Sequence, residues 1–536
     1  MSDNQLLRGT MILSAGIFLT KFLGLIYIFP FTAIVGEQGL ALYSYGYIPY
    51  TVLLSLATMG IPLAVSKFVS KYNALGDYHT GQRLLRSGLI VMSVTGFAAF
   101  LLLFAAAEPI ARQVIDPGSA GGNQLEDVVF AVRMVSAALL LVPVMAIIRG
   151  FFQGHQSMGP TAVSQVVEQI VRIIFILVLT YLIINTFGGS LGTAVGFAVF
   201  GAFAGALGGL GILLYYWKKR AAGIRAQMQQ STTDHQLSYT AMYKELLKYA
   251  VPLSLVGLSI PLYQTVDLWT FNEAMRDAGF SGGIEELYYG AFTQSTHKLI
   301  MIPVSIATAM SLTILPTVTE AFTNKDNEKL QRTITQAYQI ILFLTIPAAA
   351  GLLVTAAPVY GALFGVGETA IGAEILRTYA PAAVFFAVFA VTASLLQGIN
   401  KQQYAVLALL AGLAFKALLN GWFIQWFGPQ GGVFATIGGY LIAVSINVWA
   451  VGRFAAFDYS LIKRRLMQTV VFSSLMALVV LYISYALQQT FPLDSRMNAM
   501  IVLALSVGSG AVIYAFVTIK TGLAGRVLGH RFSMLQ

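Results

Sequence analysis

The sequence predicts an all-α polytopic membrane protein with fourteen transmembrane helices: two six-helix pseudo-symmetric halves plus two C-terminal helices, around a central cavity. Three observations predict it. Of 536 residues, 57% are hydrophobic and 10% charged, against a globular norm of about 25% charged. Apolar runs recur along the whole chain, each of about 20 residues or more, enough to cross a hydrocarbon core of about 30 Å. The first six runs resemble the next six.

The spans fall near 9–36, 42–69, 84–107, 127–152, 159–185, 190–217, 246–271, 288–322, 333–357, 374–398, 404–427, 433–455, 468–490 and 498–519. Span 1 is too long for a signal-peptide core and carries Lys21 near its middle, so it reads as a retained helix. No soluble domain remains between the spans.

Basic residues set the orientation, because Lys- and Arg-rich loops stay cytoplasmic. With both termini inside, cytoplasmic segments and adjoining span ends hold 23 of the 32 basic residues, including Lys67, Lys71, Arg83, Arg86, Arg149, the cluster Lys218, Lys219, Arg220 and Arg225, and Lys463, Arg464 and Arg465. The outer side holds Glu37, Glu108, Asp116, Glu126, Asp127, Glu273, Asp277, Glu285, Glu286, Glu368, Glu374 and Asp494, with only Arg112, Arg276 and Arg496 in its loops. The net charge of +10 therefore reflects membrane topology and attraction to anionic lipids, and requires no nucleic acid. With no cysteine, disulfides and thiolate metal sites are excluded.

A shift of 244 positions superposes Arg133 on Arg377, Gln153-Gly154 on Gln397-Gly398, and Arg172 on Lys416. At nearby offsets Glu108-Pro109-Ile110 meets Ala357-Pro358-Val359, and Ile61-Pro62 with Phe68 meets Leu315-Pro316 with Phe322. An even number of spans per half leaves both halves in one orientation, related by an axis along the membrane normal and flanking a cavity. The domains are then residues 1–217, a cytoplasmic linker 218–245, the second half 246–455, and two additional helices with a tail at 456–536.

Pro30, Pro49, Pro62, Pro252, Pro261, Pro303 and Pro316 interrupt apolar runs, which membranes tolerate where neighbours or cavity water satisfy the freed carbonyls. Gly192, Gly196, Gly201 and Gly205 have the small-xxx-small spacing of close helix packing. Gln153-Gly154 and Gln397-Gly398 end spans 4 and 10, where glycine commonly closes a helix. Tyr43, Tyr45, Tyr47, Tyr288 and Tyr289 read as an interfacial belt.

Four cations lie inside spans: Lys21, Arg172, Lys298 and Lys416. At mid-bilayer each costs at least about 2.5 kcal/mol, so such residues usually face a polar cavity and handle an anion. Lys21 has Gly24 a turn later, leaving room beside it. Lys298, five residues before Pro303, could offer its ammonium to a phosphate oxygen. His297 beside it is a titrating group or a polar lining residue. Glu168 and Arg172, four apart, share one helix face and form either a structural pair or a gate or proton-coupling group. Lys416 has no acidic neighbour within a turn, so it finds a partner on another span or stays open to substrate. Asp267 pairs across the cavity, binds a coupling cation, or sits solvated near the outer end of span 7.

Enzyme signatures are missing. Gly188-Gly189-Ser190-Leu191-Gly192 matches a nucleophile-elbow pattern but joins two spans, without the strand-turn-helix context. There is no Walker loop, no His-Glu-x-x-His and no cofactor motif.

Lys21-Phe22-Leu23-Gly24, Gly36-Glu37-Gln38-Gly39 with Tyr43 after it, and Lys298 through Pro303 followed by Thr313-Ile314-Leu315-Pro316 carry a family resemblance. The chain resembles the multidrug/oligosaccharidyl-lipid/polysaccharide exporter superfamily in its polysaccharide-biosynthesis branch, close to the SpoVB/YtgP-like proteins and the MurJ-type lipid II flippases. The resemblance covers nearly the whole chain. It implies that Lys21 and Lys298 recognise a substrate diphosphate, and that spans 13 and 14 help form a groove for a polyprenyl tail. The pattern departs at Tyr27-Ile28, where many members carry Arg-Asp, and near Leu54 or Ser55, where they carry a further basic residue; Arg172 or Lys416 would compensate.

The expectation is a non-enzymatic flippase in the bacterial cytoplasmic membrane, moving undecaprenyl-diphosphate-linked peptidoglycan precursor by alternating access. Its partners would be the lipid-linked glycan, anionic membrane lipids, a coupling cation and cell-wall synthesis proteins. Export of another lipid-linked oligosaccharide, cation-coupled drug antiport, and a non-transporting envelope scaffold are the alternatives.

Overall fold

A computed structural model describes residues 3–58, 61–115, 121–229, 231 and 238–528. Asp116 and the side chain of Pro252, both named above, lie outside the described parts, as do Arg531 and the side chains of Arg8 and Lys248, three of the 23 cytoplasmic-side basic residues. Among the described residues there are helices and turns and no strand. The chain divides into two compact units, Met1–Leu268 and Trp269–Gln536.

In the first unit, span 1 is the helix Asp3–Ile26, interrupted at Tyr27 and resumed at Ile28. Gly36, at φ 64° and ψ −177°, ends it and turns the chain into span 2. That conformation is essentially reserved for glycine, which accounts for the first residue of Gly36-Glu37-Gln38-Gly39. Span 2 continues in Ile61–Ala74, with Pro62 in the first turn, where its missing N–H costs nothing. Span 3, Tyr78–Ala105, is capped by Asp77, whose carboxylate accepts from the Thr80 N–H at 2.9 Å. Span 4 is broken into Leu125–Ser136, a 3-10 turn Ala137–Leu140 and Val142–Gly154. Span 5 is Met158–Tyr181, closed by a π turn Leu182–Thr186.

Span 6, Leu191–Gln229, has 39 residues and so runs to about 58 Å, carrying Lys218, Lys219, Arg220 and Arg225 beyond the bilayer as a basic helical extension. The returning chain is tied to the ends of spans 2 and 3. Ser231 accepts from the Tyr78 N–H at 3.2 Å and donates to the Gly76 carbonyl at 3.0 Å. Lys71 pairs with Glu245 at 2.7 Å, and Tyr243 donates to Ser87 at 3.1 Å.

Span 7 is Tyr239–Gly257 followed by Ser259–Asp277, the second helix crossing the boundary between the units. In the second unit, span 8 comprises Ile284–Gly290, a π turn Ala291–Thr296, and His297–Thr323 with Pro303 and Pro316 inside it. Spans 9, 11 and 12 are Asn327–Val354, Gln402–Phe427 and Gln430–Phe454. Span 10 is the pair Thr369–Tyr379 and Ala382–Gly398, bent by 44°.

Spans 13 and 14, Ser460–Thr490 and Arg496–Lys520, pack on span 9 and on the short helix Ala356–Leu363. Pro347 in span 9 has no N–H to offer the Phe343 carbonyl four residues earlier. The Tyr514 hydroxyl of span 14 fills that vacancy at 2.9 Å. At one end of the pair, Arg496 donates to the Ala362 and Leu363 carbonyls at 3.0 and 3.2 Å, a cation on a helix C-terminus. At the other, Arg465 donates to Gln339.

Among the described residues, eleven helical stretches are individually long and apolar enough to cross a membrane, and the bent span 10 makes a twelfth. The two remaining expected spans, 1 and 7, are helical as well, in Asp3–Ile26 and in Tyr239–Gly257 followed by Ser259–Asp277.

The repeat recurs in the geometry. Arg133 and Arg377 both lie in the last turn before the break of their span. A Cβ on Gly154 would stand 2.5 Å from Val69 Cβ of span 2, and one on Gly398 would stand 2.7 Å from Val318 Cγ1 of span 8. These glycines allow helices to cross closely. The left-handed residue that turns the chain comes two positions later, at Gln156 (φ 56°) and Asn400 (φ 57°), so the expected glycine closure is corrected. The tyrosine belt is corrected too: Tyr43, Tyr45 and Tyr289 are 3%, 0% and 0% exposed, because they pack against other helices of their own units.

Candidate functional site

The glycines of span 6 shape the polar centre of the first unit. A Cβ on Gly205 would lie 2.7 Å from the Glu168 carbonyl oxygen and 2.9 Å from Arg172 Cβ, and one on Gly209 would lie 3.1 Å from Glu168 Cβ. With no side chains there, span 6 lies flat on span 5. Gly192 and Gly196 make the same kind of approach to Asp127 and Phe130 of span 4.

Glu168 is held by two guanidiniums. Arg172 Nη2 donates to Oε1 at 2.9 Å, and Arg149 Nη2, from span 4, donates to Oε2 at 2.7 Å. Arg149 Nε also donates to Ser164 Oγ at 3.0 Å. The three charged side chains are 12 to 16% exposed, and together they carry one excess positive charge. Tyr27, Tyr43 and Tyr50 are buried within electrostatic reach of Arg172. Tyr27 and Tyr43 hydrogen-bond to each other, and Tyr47 stacks on Tyr43 with ring centroids 5.2 Å apart.

Lys21 lies on span 1, which packs along span 5. Span 1 lies along span 5 in parallel: a Cβ on Gly16 would come 2.9 Å from Ala162 Cβ, and one on Gly24 would come 3.2 Å from Gln169 Nε2. Lys21 lies between the two contacts, at the level of Val166 and Val167, one residue from Glu168. Its side chain is exposed and makes no ion pair among the described residues.

In the second unit, His297 and Lys298 follow directly on the π turn of span 8; such insertions re-aim the side chains that follow and often mark functional sites. His297 is 7% exposed, its Nδ1 3.1 Å from the Tyr379 hydroxyl and its ring 6.3 Å from that of Phe386, the surroundings of a satisfied lining residue. Lys298 is half-buried. Lys416 is fully buried, and its ammonium donates to the Thr436 hydroxyl and to the Gly432 carbonyl at 3.4 Å, with the Phe292 ring centroid at 5.7 Å. It has thus found partners on spans 12 and 8. Asp267 is 2% exposed, an enclosed position and not a solvated one.

The structure therefore assembles Glu168, Arg172 and Arg149 in one unit, with Lys21 on the adjoining span 1, and encloses Lys416 in the other. Sequence reasoning missed Arg149, Tyr27 and Tyr50. Arg149 counted only as a cytoplasmic-side charge, because its partner Glu168 lies 19 residues away on another helix. Among the described residues no three metal-ligating side chains converge.

A family profile described as "Polysaccharide biosynthesis protein" matches residues 6–322, and one described as "Lipid II flippase MurJ" matches residues 281–501. A Bacillus subtilis (strain 168) protein named Lipid II flippase MurJ is 43% identical over 532 residues, 99% of this chain and 98% of its own. The chain belongs to the MurJ family. Stage V sporulation protein B of the same organism is a more distant relative, 24% identical over 426 residues, 78% of this chain and 77% of its own. In fold the chain matches a solved "Lipid II flippase MurJ, inward closed conformation", with a TM-score of 0.65 at 14% identity over 95% of this chain and 99% of that one. It also matches an inward-facing MATE multidrug transporter of the MOP superfamily, with a TM-score of 0.64 at 18% identity over 80% and 94%. Membership of the MurJ family makes this chain a multi-pass protein of the bacterial cytoplasmic membrane and a transporter in place of an enzyme.

Proposed function

We propose that this MurJ-family chain is a lipid II flippase, carrying undecaprenyl-diphosphate-linked peptidoglycan precursor from the cytoplasmic to the outer leaflet by alternating access. The observation that carries this is the 43% identity to a protein named Lipid II flippase MurJ, spread over 99% of the chain. Lys21 and Lys298 engage the diphosphate. The support is chemical: an ammonium is a compact donor to phosphate oxygens, Lys21 is accessible on span 1, and Lys298 closely follows a π turn, a feature frequent at functional sites. Both termini face the cytoplasm, and the basic extension of span 6 meets anionic headgroups there. Spans 13 and 14 accommodate the polyprenyl tail.

The test is depletion of the endogenous flippase and rescue by plasmid copies, read by a leaflet-accessibility assay for lipid II. Wild type restores outer-leaflet lipid II, and each of Lys21→Ala and Lys298→Ala restores little of it. Full rescue by the double variant would remove the two lysines from recognition. Failure of the wild type to rescue would remove the lipid II assignment.

A further inference from the structure

The two guanidiniums on Glu168 are not equivalent. Arg149 is anchored twice, to Ser164 and to Glu168. Arg172 makes one hydrogen bond, to Glu168, and its Nε is buried without an acceptor. A guanidinium offers five N–H donors, and leaving a buried donor unmet is destabilising. Arg172 is therefore under-satisfied where it rests, although Tyr43, Tyr47 and Tyr50 lie within electrostatic reach of it. Lys21 lies on the adjoining helix, level with Val166 and Val167, between the contacts at Ala162 and Gln169. Lys21, Arg149 and Arg172 against the single carboxylate of Glu168 leave two excess positive charges, the number that matches a diphosphate diester.

We infer that Arg172 is the phosphate-binding end of a subsite lying wholly within the first unit, and that Glu168 is its exchangeable counter-ion. Phosphate oxygens take the place of the Glu168 carboxylate on Arg172, with Lys21 and the Tyr47 hydroxyl as further donors. Glu168 stays on Arg149. Substrate arrival thus undoes the four-residue staple of span 5 and leaves the carboxylate to span 4, so the phosphate is exchanged for an internal anion and never faces an empty cationic pocket. The identity of the ligand as a lipid diphosphate rests on the proposed function; the anion exchange itself does not.

The experiment uses the full chain in nanodiscs, with lipid II and undecaprenyl diphosphate as probes, undecaprenol as the phosphate-free control, and dissociation constants as readout. Glu168→Gln removes the competitor while keeping the shape, and tightens both diphosphate lipids about tenfold; Arg172→Gln weakens them about tenfold, the scale of one charge-assisted hydrogen bond. Undecaprenol binding is unchanged in both. Opposite signs are the signature, because a purely structural pair would lose binding from either side. If Glu168→Gln is not recovered folded, Glu168→Asp keeps a charge for Arg149 while shortening its reach to Arg172, and also tightens binding. Weakening by the Glu168 variants, or wild-type affinity in Arg172→Gln, overturns the subsite. Equal wild-type affinity for the two diphosphate lipids, with no lipid II transport, would instead overturn the proposed function and leave the subsite standing.

Discussion

Gly205 and Gly211 lie on the same helix, less than two turns apart, and the same substitution should act on them with opposite sign. An alanine Cβ at Gly205 meets a backbone carbonyl oxygen, that of Glu168, at 2.7 Å, and Arg172 Cβ at 2.9 Å. Neither is the loose end of a flexible side chain, so span 6 must move away from span 5. Overpacking of this kind costs about 1 to 3 kcal/mol. At Gly211 a Cβ meets nothing within 4 Å, so only the backbone effect remains, a gain of about 0.5 to 1 kcal/mol for alanine over glycine inside a helix. The two variants should therefore differ by about 1.5 to 4 kcal/mol, or roughly 5 °C in unfolding midpoint for a unit of this size. The assay is thermal unfolding of purified protein in one detergent, wild type alongside Gly205→Ala and Gly211→Ala. Equal midpoints for the two variants, or a more stable Gly205→Ala, would refute the claim that span 6 is flat because span 5 needs its glycines.

Tyr514→Phe removes the donor to the Phe343 carbonyl and should cost about 0.6 kcal/mol, the mean for hydrogen bonds between membrane helices; in a Pro347→Ala background, where the helix recovers its own N–H, the same change should cost nothing, as a double-mutant cycle on unfolding midpoints will read. Gln156→Gly should stabilise more than Asn400→Gly, since both positions need positive φ and asparagine tolerates it better than glutamine; comparison of the two midpoints checks it. Lys71 is held above its ordinary value of 10.5 by its hydrogen bond to Glu245. That contribution is fully present below pH 10.5 and is lost as pH rises through the raised value, so near neutral pH the tether should respond to salt and not to pH. Trypsin cleavage at the neighbouring Lys244 should accordingly rise with ionic strength in wild type and be salt-insensitive in Glu245→Gln.

The repeat was legible because it lives in local chemistry: Arg133 with Arg377, and Gly154 with Gly398, recur at one spacing whatever surrounds them. What glycine did there was not legible. The residue that turns the chain after each span is Gln156 or Asn400, and the glycines serve a crossing helix whose approach no linear pattern encodes. The Glu168–Arg172 pair was visible because it spans one turn of a single helix. Arg149 was invisible because its partner lies on a neighbouring span, and the tyrosines of span 2 resembled interfacial anchors until helix packing buried them.

By itself, then, the sequence determined that this chain crosses a membrane many times, that its two halves repeat, and that cations stand inside its spans. Those properties are sums over local composition and periodicity, and they survive any arrangement of the helices. Only the tertiary structure decided which cations are neutralised. Lys416 and Arg172 are the same position in the repeat, but one is enclosed by a carbonyl, a hydroxyl and an aromatic face, while the other shares a carboxylate with an arginine from another helix. The reason is physical: a charge's state depends on what lies within a few ångströms of it, and in a helical membrane protein most of those neighbours come from other spans.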